Sequence, residues 1–187
     1  MEPKAVVNLR KGEGRTIKAG GLWIFDNEIE SVMGSVEDGD IVIVRDFDGY
    51  PMGRGFINRK SKITIRMLTR DAEQDINEAF LRMRVKNAWE YRKAVMQGED
   101  LTCCRVIFGE ADFLPGLVID RFSDVLVVES LALGIDLYKE QIVDLLKEIM
   151  AQDGARRKDL LHIKDASVRS LSRSLRSWRT VCIIMWM

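Results

Sequence analysis

The sequence predicts an α+β protein: a small N-terminal β barrel followed by a compact mixed unit. Three observations carry that reading. Short apolar runs alternate with glycine-centred turns over the first 70 residues. Two longer segments between residues 76 and 150 repeat apolar residues at helical spacing, and three strand-like runs lie between them. We therefore divide the 187 residues into a barrel (1–70), a central α+β domain (71–152) and an aberrant tail (153–187).

Taken in order, Ala5–Leu9 reads as a strand and Lys11-Gly-Glu-Gly14 as the turn that closes it. Residues 28–33 form a second strand, broken by Gly34. Residues 40–45 contain Ile41-Val-Ile-Val44, continuous rather than alternating, which predicts a strand buried on both faces. Asp48-Gly49 is a strong turn dipeptide, so 52–58 should return beside that strand and 63–68 should add the next. No helical layer is evident here. A long helix is expected from 76 to about 96, capped by Asp75 with Glu78 as its capping-box partner. Its inward face would carry Ile76, Phe80, Met83, Tyr91 and Val95, and Gly98 would end it. Strands at 104–108, 117–121 and Val125–Ser130 follow. A second helix, 137–150, would be capped by Asp136 and bury Tyr138, Ile142, Leu145 and Ile149.

Composition excludes several classes. With 47% hydrophobic and 31% charged residues the chain is globular, neither disordered nor membrane-spanning, and no signal-like apolar run follows its start. Three cysteines, two of them adjacent, give no disulfide framework and no zinc spacing, which fits a reducing cytoplasm. His162 is the only histidine and is read as lying on a polar loop, so no metal site is expected.

The net charge is zero, yet the charges are sorted. Residues 51–70 hold six basic side chains (Arg54, Arg59, Lys60, Lys62, Arg66 and Arg70) and no acidic one. Lys11, Arg15 and Lys18 form a second loop-borne group. Cations on strand edges can serve only to discourage edge-to-edge pairing. A run without interspersed acids, however, is not the mixed pattern of an ordinary surface. Placed on loops of a small barrel, such residues suit phosphate positioning of structured RNA. Lys11, Arg15, Lys18, Arg54, Arg59, Lys60, Lys62 and Arg66 are the candidate RNA-binding residues.

Four strings carry a family resemblance: Arg105-Val-Ile-Phe-Gly-Glu-Ala-Asp-Phe-Leu-Pro-Gly-Leu-Val-Ile-Asp-Arg-Phe122, Ala19-Gly-Gly-Leu-Trp-Ile-Phe-Asp-Asn-Glu-Ile29, Glu37-Asp-Gly-Asp40 and Asp48-Gly-Tyr-Pro-Met-Gly-Arg-Gly-Phe-Ile-Asn58. Together they resemble the S-adenosylmethionine-dependent methyltransferases that modify cytosine C5 in bacterial 23S ribosomal RNA. Those enzymes join an RNA-binding PUA domain, a middle segment and a Rossmann-like catalytic domain. The resemblance covers residues 5 to about 150, with Gly21-Leu22 where the family has His-Pro before the tryptophan. It implies a PUA-like barrel, ribosomal RNA as partner, and S-adenosylmethionine as cofactor of the parent enzyme. It also implies that this chain stops where the Rossmann methyltransferase domain should begin, leaving no cofactor site and no catalytic residue. Ala166-Ser-Val-Arg169 is similar to the start of the family's linker, but 170–187 does not continue it. Val168, Leu171, Leu175 and Trp178 with four interleaved arginines could form a basic amphipathic helix. A truncated or out-of-frame end is preferred, because an exposed Ile-Ile-Met-Trp-Met terminus is an aggregation liability. A standalone RNA-binding or regulatory protein is the alternative reading.

Other candidates for chemistry have structural readings that outweigh them. Glu110 and Asp112 sit in a Gly/Pro-bounded turn, where carboxylates usually hold turn hydrogen bonds, with Asp120-Arg121 available as an ion-pair partner. In that turn Gly116→Val should harm folding more than Asp112→Ala, since Pro115-Gly116 sets the backbone. Cys103-Cys104 has no neighbouring histidine to activate a thiolate and is read as packing. The Gly-x-Gly strings Gly12/Gly14 and Gly53/Gly55 are not expected to open a helix, as a nucleotide-binding loop would, and suit barrel turns.

Overall fold

The computed structural model describes residues 3–153 and the backbone of 161–164. The first unit comprises β1 (Ala5–Leu9), α1 (Arg15–Lys18), β2 (Trp23–Phe25), β3 (Ile29–Gly34), β4 (Ile41–Arg45), β5 (Pro51–Ile57) and β6 (Ile63–Thr69). Its strands form one sheet in the order β2-β6-β5-β4-β1-β3, antiparallel except for the parallel pair β1 and β4. The expected small barrel is a curled half-barrel: among the described residues β2 and β3 remain edges. Register shifts at Asn8/Leu9, Ile24/Phe25, Val44/Arg45 and Arg54/Gly55 supply the bend, because each bulge kinks its strand and increases its twist.

The concave side buries Val7, Leu9, Ile24, Val42, Ile65 and Met67. The convex side is not left to solvent. Ile41, Phe56 and Leu68 point outward into the core of the second unit, which explains the uninterrupted apolar run in β4. α1 was not expected. It is a single turn entered through Gly14 at φ 81, and Ile17 is its only buried side chain.

The second unit contains α2 (Glu78–Val95), β7 (Cys103–Phe108), β8 (Leu117–Phe122), β9 (Val125–Ser130), α3 (Leu133–Asp136), α4 (Lys139–Gln152) and β10 (Leu161–Lys164). β7, β8 and β9 form an antiparallel meander, and β10 adds in parallel beside β9. The backbone of His162 therefore lies in a strand, not on a loop. Calls on the remainder of 154–187, including the Val168–Trp178 periodicity, fall outside the described residues.

The expected α2 face holds at Ile76 and Phe80 and fails beyond them. Met83, Tyr91 and Val95 are exposed, whereas Phe80, Leu81, Val85, Ala88, Trp89 and Arg92 are buried. The sequence carries two apolar stripes on this helix. The one that faces the sheet includes Arg92, whose charge finds its partner only in the fold. Asn77, rather than Asp75, is the N-cap, its Oδ1 accepting from the Phe80 N–H at 3.0 Å. Asp75 is instead paired with Arg54. The expected 137–150 helix is α4, shifted by two residues to Lys139–Gln152; Asp136 ends the separate turn α3 before it and accepts from Lys139 rather than capping. Gly134 lets α3 pack against the first sheet: a Cβ there would stand 2.2 Å from Phe56, so only glycine lets the chain pass this close to its convex face. Tyr138 then stacks on Phe56 at 5.5 Å between ring centroids.

Candidate nucleic-acid interface

The eight basic candidates separate into three environments. Arg54 is only 6% exposed; its Nε donates to the Ala72 carbonyl at 2.6 Å and its Nη1 pairs with Asp75 at 3.1 Å. It joins β5 to the segment entering α2 and is withdrawn from the RNA-binding set. A sequence run cannot show that one of its cations points inward. Arg66 is half-buried: its Nη1 meets Glu110 Oε1 at 3.1 Å and its guanidinium lies 5.5 Å from the Trp23 ring centroid. It too is committed to the fold.

Three candidates remain on the β5–β6 turn. Asp38 accepts from the Arg59 backbone N–H at 2.9 Å and from its Nε at 3.4 Å, and these contacts hold the Asp38 carboxyl below the usual range. Lys60 has a side chain 88% exposed and stands 3.9 Å from Asp38. Lys62 is exposed and forms no ion pair with any described residue.

The other three lie on the β1–α1 side. Lys11, Arg15 and Lys18 line a cleft of about 300 Å³ together with Gly12, Glu13 and Phe47. Lys18 Nζ pairs with Asp46 at 2.8 Å, and Asp46 also accepts from the Asp48 and Tyr50 N–H groups. The Lys18 ammonium is the foremost cause holding the Asp46 carboxyl below its usual range. This contact fixes the β4–β5 turn that presents Phe47 and Tyr50, both exposed. The two surviving groups sit at opposite ends of β5, because Phe47 precedes that strand and Arg59 follows it. Seven residues of strand place them roughly 20 Å apart. An elongated ligand could touch both; a small one could not.

Two exposed aromatics were overlooked as site residues. Trp23 and Phe25 alternate outward on edge strand β2 around fully buried Ile24. Their string entered the sequence reading only as a resemblance. Two aromatics flanking one apolar residue were a legible outward-facing signal.

The acidic turn is structural. Asp112 Oδ2 receives Arg92 Nη2 at 2.6 Å, with both side chains 8% exposed. Glu110 receives Trp23 Nε1 at 2.8 Å and so ties the turn to the first sheet. Arg121 is not its ion-pair partner: Asp120 pairs with Arg105, while Arg121 donates to the Leu101 and Ser123 carbonyls. Cys104 is buried, and burial pushes its thiol pKa up, away from a thiolate nucleophile; Cys103 is half-buried. Among the described residues no three His, Cys, Asp or Glu groups gather as a metal site, and no helix is long and apolar enough to cross a membrane.

A family model described as a PUA-like domain matches residues 7–70, so the first sheet is PUA-like. The ribosomal RNA large subunit methyltransferase I of Shewanella frigidimarina is 36% identical over 141 residues, covering 75% of this chain and 36% of that protein. The protein of the same name from Aeromonas hydrophila is 34% identical over 145 residues, covering 78% and 36%. A solved chain from Streptococcus mutans, described as a SAM-dependent methyltransferase, aligns with TM-score 0.67 at 12% identity over 78% of this chain and 38% of its own, a likeness of fold alone. The chain thus spans little more than a third of the length of these relatives.

Proposed function

We propose that this chain is the RNA-engaging portion of a large-subunit ribosomal RNA methyltransferase, working in the cytoplasm. The parent activity would be methyl transfer from S-adenosylmethionine to cytosine C5 of 23S ribosomal RNA. The chain as given would bind ribosomal RNA without catalysing that transfer. The observation that carries the reading is the pair of solvent-facing cation groups at the two ends of β5 on a PUA-like sheet. Lys60 and Lys62 at one end, and Lys11 and Arg15 at the other, are placed to meet phosphates along one RNA element. The chain's similarity to two proteins named as ribosomal RNA methyltransferases supports the choice of RNA.

The glycines present do not fit S-adenosylmethionine. A Cβ on Gly53 would stand 2.0 Å from the Thr69 carbonyl oxygen, and one on Gly55 would stand 2.5 Å from that of Arg66. The side these glycines leave open is therefore filled by β6. Gly14 does open a helix, contrary to the sequence reading, but α1 is one turn long and the glycine faces Leu9 and Met52. We assign cofactor binding and methyl transfer to a catalytic domain outside the described residues.

The test is the salt dependence of binding to a structured ribosomal RNA fragment. Each phosphate contact adds roughly 0.7–0.9 to the slope of log K against log salt, so the Lys60→Ala, Lys62→Ala double variant should flatten the curve by about 1.5 units. A slope identical to that of the unaltered chain would remove the β5–β6 turn from the interface.

A further inference from the structure

We propose that Trp23 and Phe25 form a stacking platform for unpaired bases, so that the RNA this surface takes includes a single-stranded segment beside Lys62. The inference rests on the RNA-binding reading above and adds what kind of RNA is read there.

Four observations converge on it. Trp23 and Phe25 are each 40% exposed on the same side of edge strand β2, with Ile24 anchoring the strand from the other side. Two residues of strand separate their side chains by roughly 6–7 Å. Second, the tryptophan is held in place. Its Nε1 donates to Glu110 at 2.8 Å, and Arg66, its cross-strand partner, lies over the ring and pairs with the same carboxylate. An exposed indole fixed by two partners loses little entropy when a base stacks on it.

Third, the cation needed for the backbone stands at the end of the strand. Phe25 pairs with Ile63, and the Asp26 N–H donates to the Lys62 carbonyl, so Lys62 lies immediately beyond the second ring. Lys62 is exposed and pairs with no described acid. The Trp23 end instead carries Glu110, which would repel phosphate, so the backbone is placed on the Lys62 side. Fourth, the convex face continues from the aromatics into a crevice lined by Thr64, Arg66, Asn58, Ser61 and Leu131. Asn58 and Ser61 offer polar groups there where a base edge would lie, while Thr64 and Arg66 are engaged within the fold. Aromatic faces with adjacent cations bind single strands of any sequence, whereas an A-form duplex keeps its bases stacked on one another.

The experiment compares binding of the whole chain to a labelled single-stranded RNA decanucleotide and to a duplex of the same sequence. The Trp23→Leu, Phe25→Leu double variant should lose about tenfold or more in single-strand affinity and change by less than about twofold on the duplex. Trp23→Phe keeps a ring and loses the Glu110 contact; it should retain single-strand affinity within about threefold. Phe25→Leu alone touches neither Glu110 nor Arg66, so its expected loss of about threefold or more guards against misfolding of the double variant. Unchanged single-strand affinity in a folded double variant would leave these rings to a protein partner and overturn the proposal. So would equal losses on both RNAs. If the unaltered chain binds neither RNA, the RNA-binding reading itself fails; binding to both without a role for the rings defeats only the platform.

Discussion

Asp112→Ala should lower stability by about 3–5 kcal/mol, the cost of stranding a buried charge when its partner is removed. Arg92 is the charge that would be stranded. Its Nη2 and Nη1 reach the two Asp112 oxygens at 2.6 and 3.3 Å, and its Nε donates to the Arg105 carbonyl at 2.7 Å. Asp112 Oδ2 also accepts the Phe108 N–H at 2.6 Å, so its loss opens the turn between β7 and β8 as well. For a chain of this size the melting temperature should fall by roughly 10 °C. Thermal and urea unfolding would measure it. Glu110→Ala is the control: that carboxylate is over a third exposed and its ion pair is screened, so the loss should stay below about 1 kcal/mol. An Arg92→Met, Asp112→Leu double variant should recover part of the stability, because a matched apolar pair leaves no stranded charge. Equal melting temperatures for Asp112→Ala and Glu110→Ala would contradict the assignment.

The sequence reading ranked Asp112→Ala below Gly116→Val, and the structure removes that ranking. The glycine argument holds: Gly116 has φ 81, and a Cβ there would stand 2.6 Å from that of Ala132. What could not be read was that Asp112 is covered. A carboxylate in a polar turn looks solvated until Arg92, 20 residues earlier, is known to be on the inward face of α2. The same ignorance of facing misplaced Arg54 among the phosphate binders. Features set by neighbours in sequence were legible. Asp48-Gly49 makes the β4–β5 turn, and β7, β8 and β9 lie within a residue of their expected limits. Features set by tertiary pairing were not. The extra turn α3 depends on Gly134 fitting against Phe56, and the division of the cations depends on the length of β5. The Trp23–Phe25 pair lies between these cases. Its alternation was visible, but its exposure follows from β2 standing at a sheet edge.

Gly53→Ala should be at least as damaging, and it separates two readings of the Gly53-Arg-Gly55 string. As a nucleotide loop, the string would need open space above its backbone. As sheet packing, it needs the absence of a Cβ. Gly53 has φ +133, a conformation that L side chains rarely adopt, and a Cβ would stand 2.0 Å from the Thr69 carbonyl oxygen and 2.8 Å from Arg70 Cα. Both obstacles are backbone, which cannot swing aside as a side-chain tip can. Relief would require β5 and β6 to part where Arg54 pairs with Thr69, at the bulge that curls the sheet. That pairing supports Leu68 in the shared core, so the second unit would feel the change as well. We expect a loss of about 3 kcal/mol or more, in the range of severe backbone strain combined with overpacking. Gly12→Ala provides the contrast. Its φ is +92 but nothing lies within 4 Å of the added Cβ, so only the conformational penalty of about 1 kcal/mol applies. Chemical denaturation of the two variants would rank them. A Gly53→Ala protein as stable as Gly12→Ala would mean that β6 does not close over the glycine, and the string would return as a candidate ligand loop.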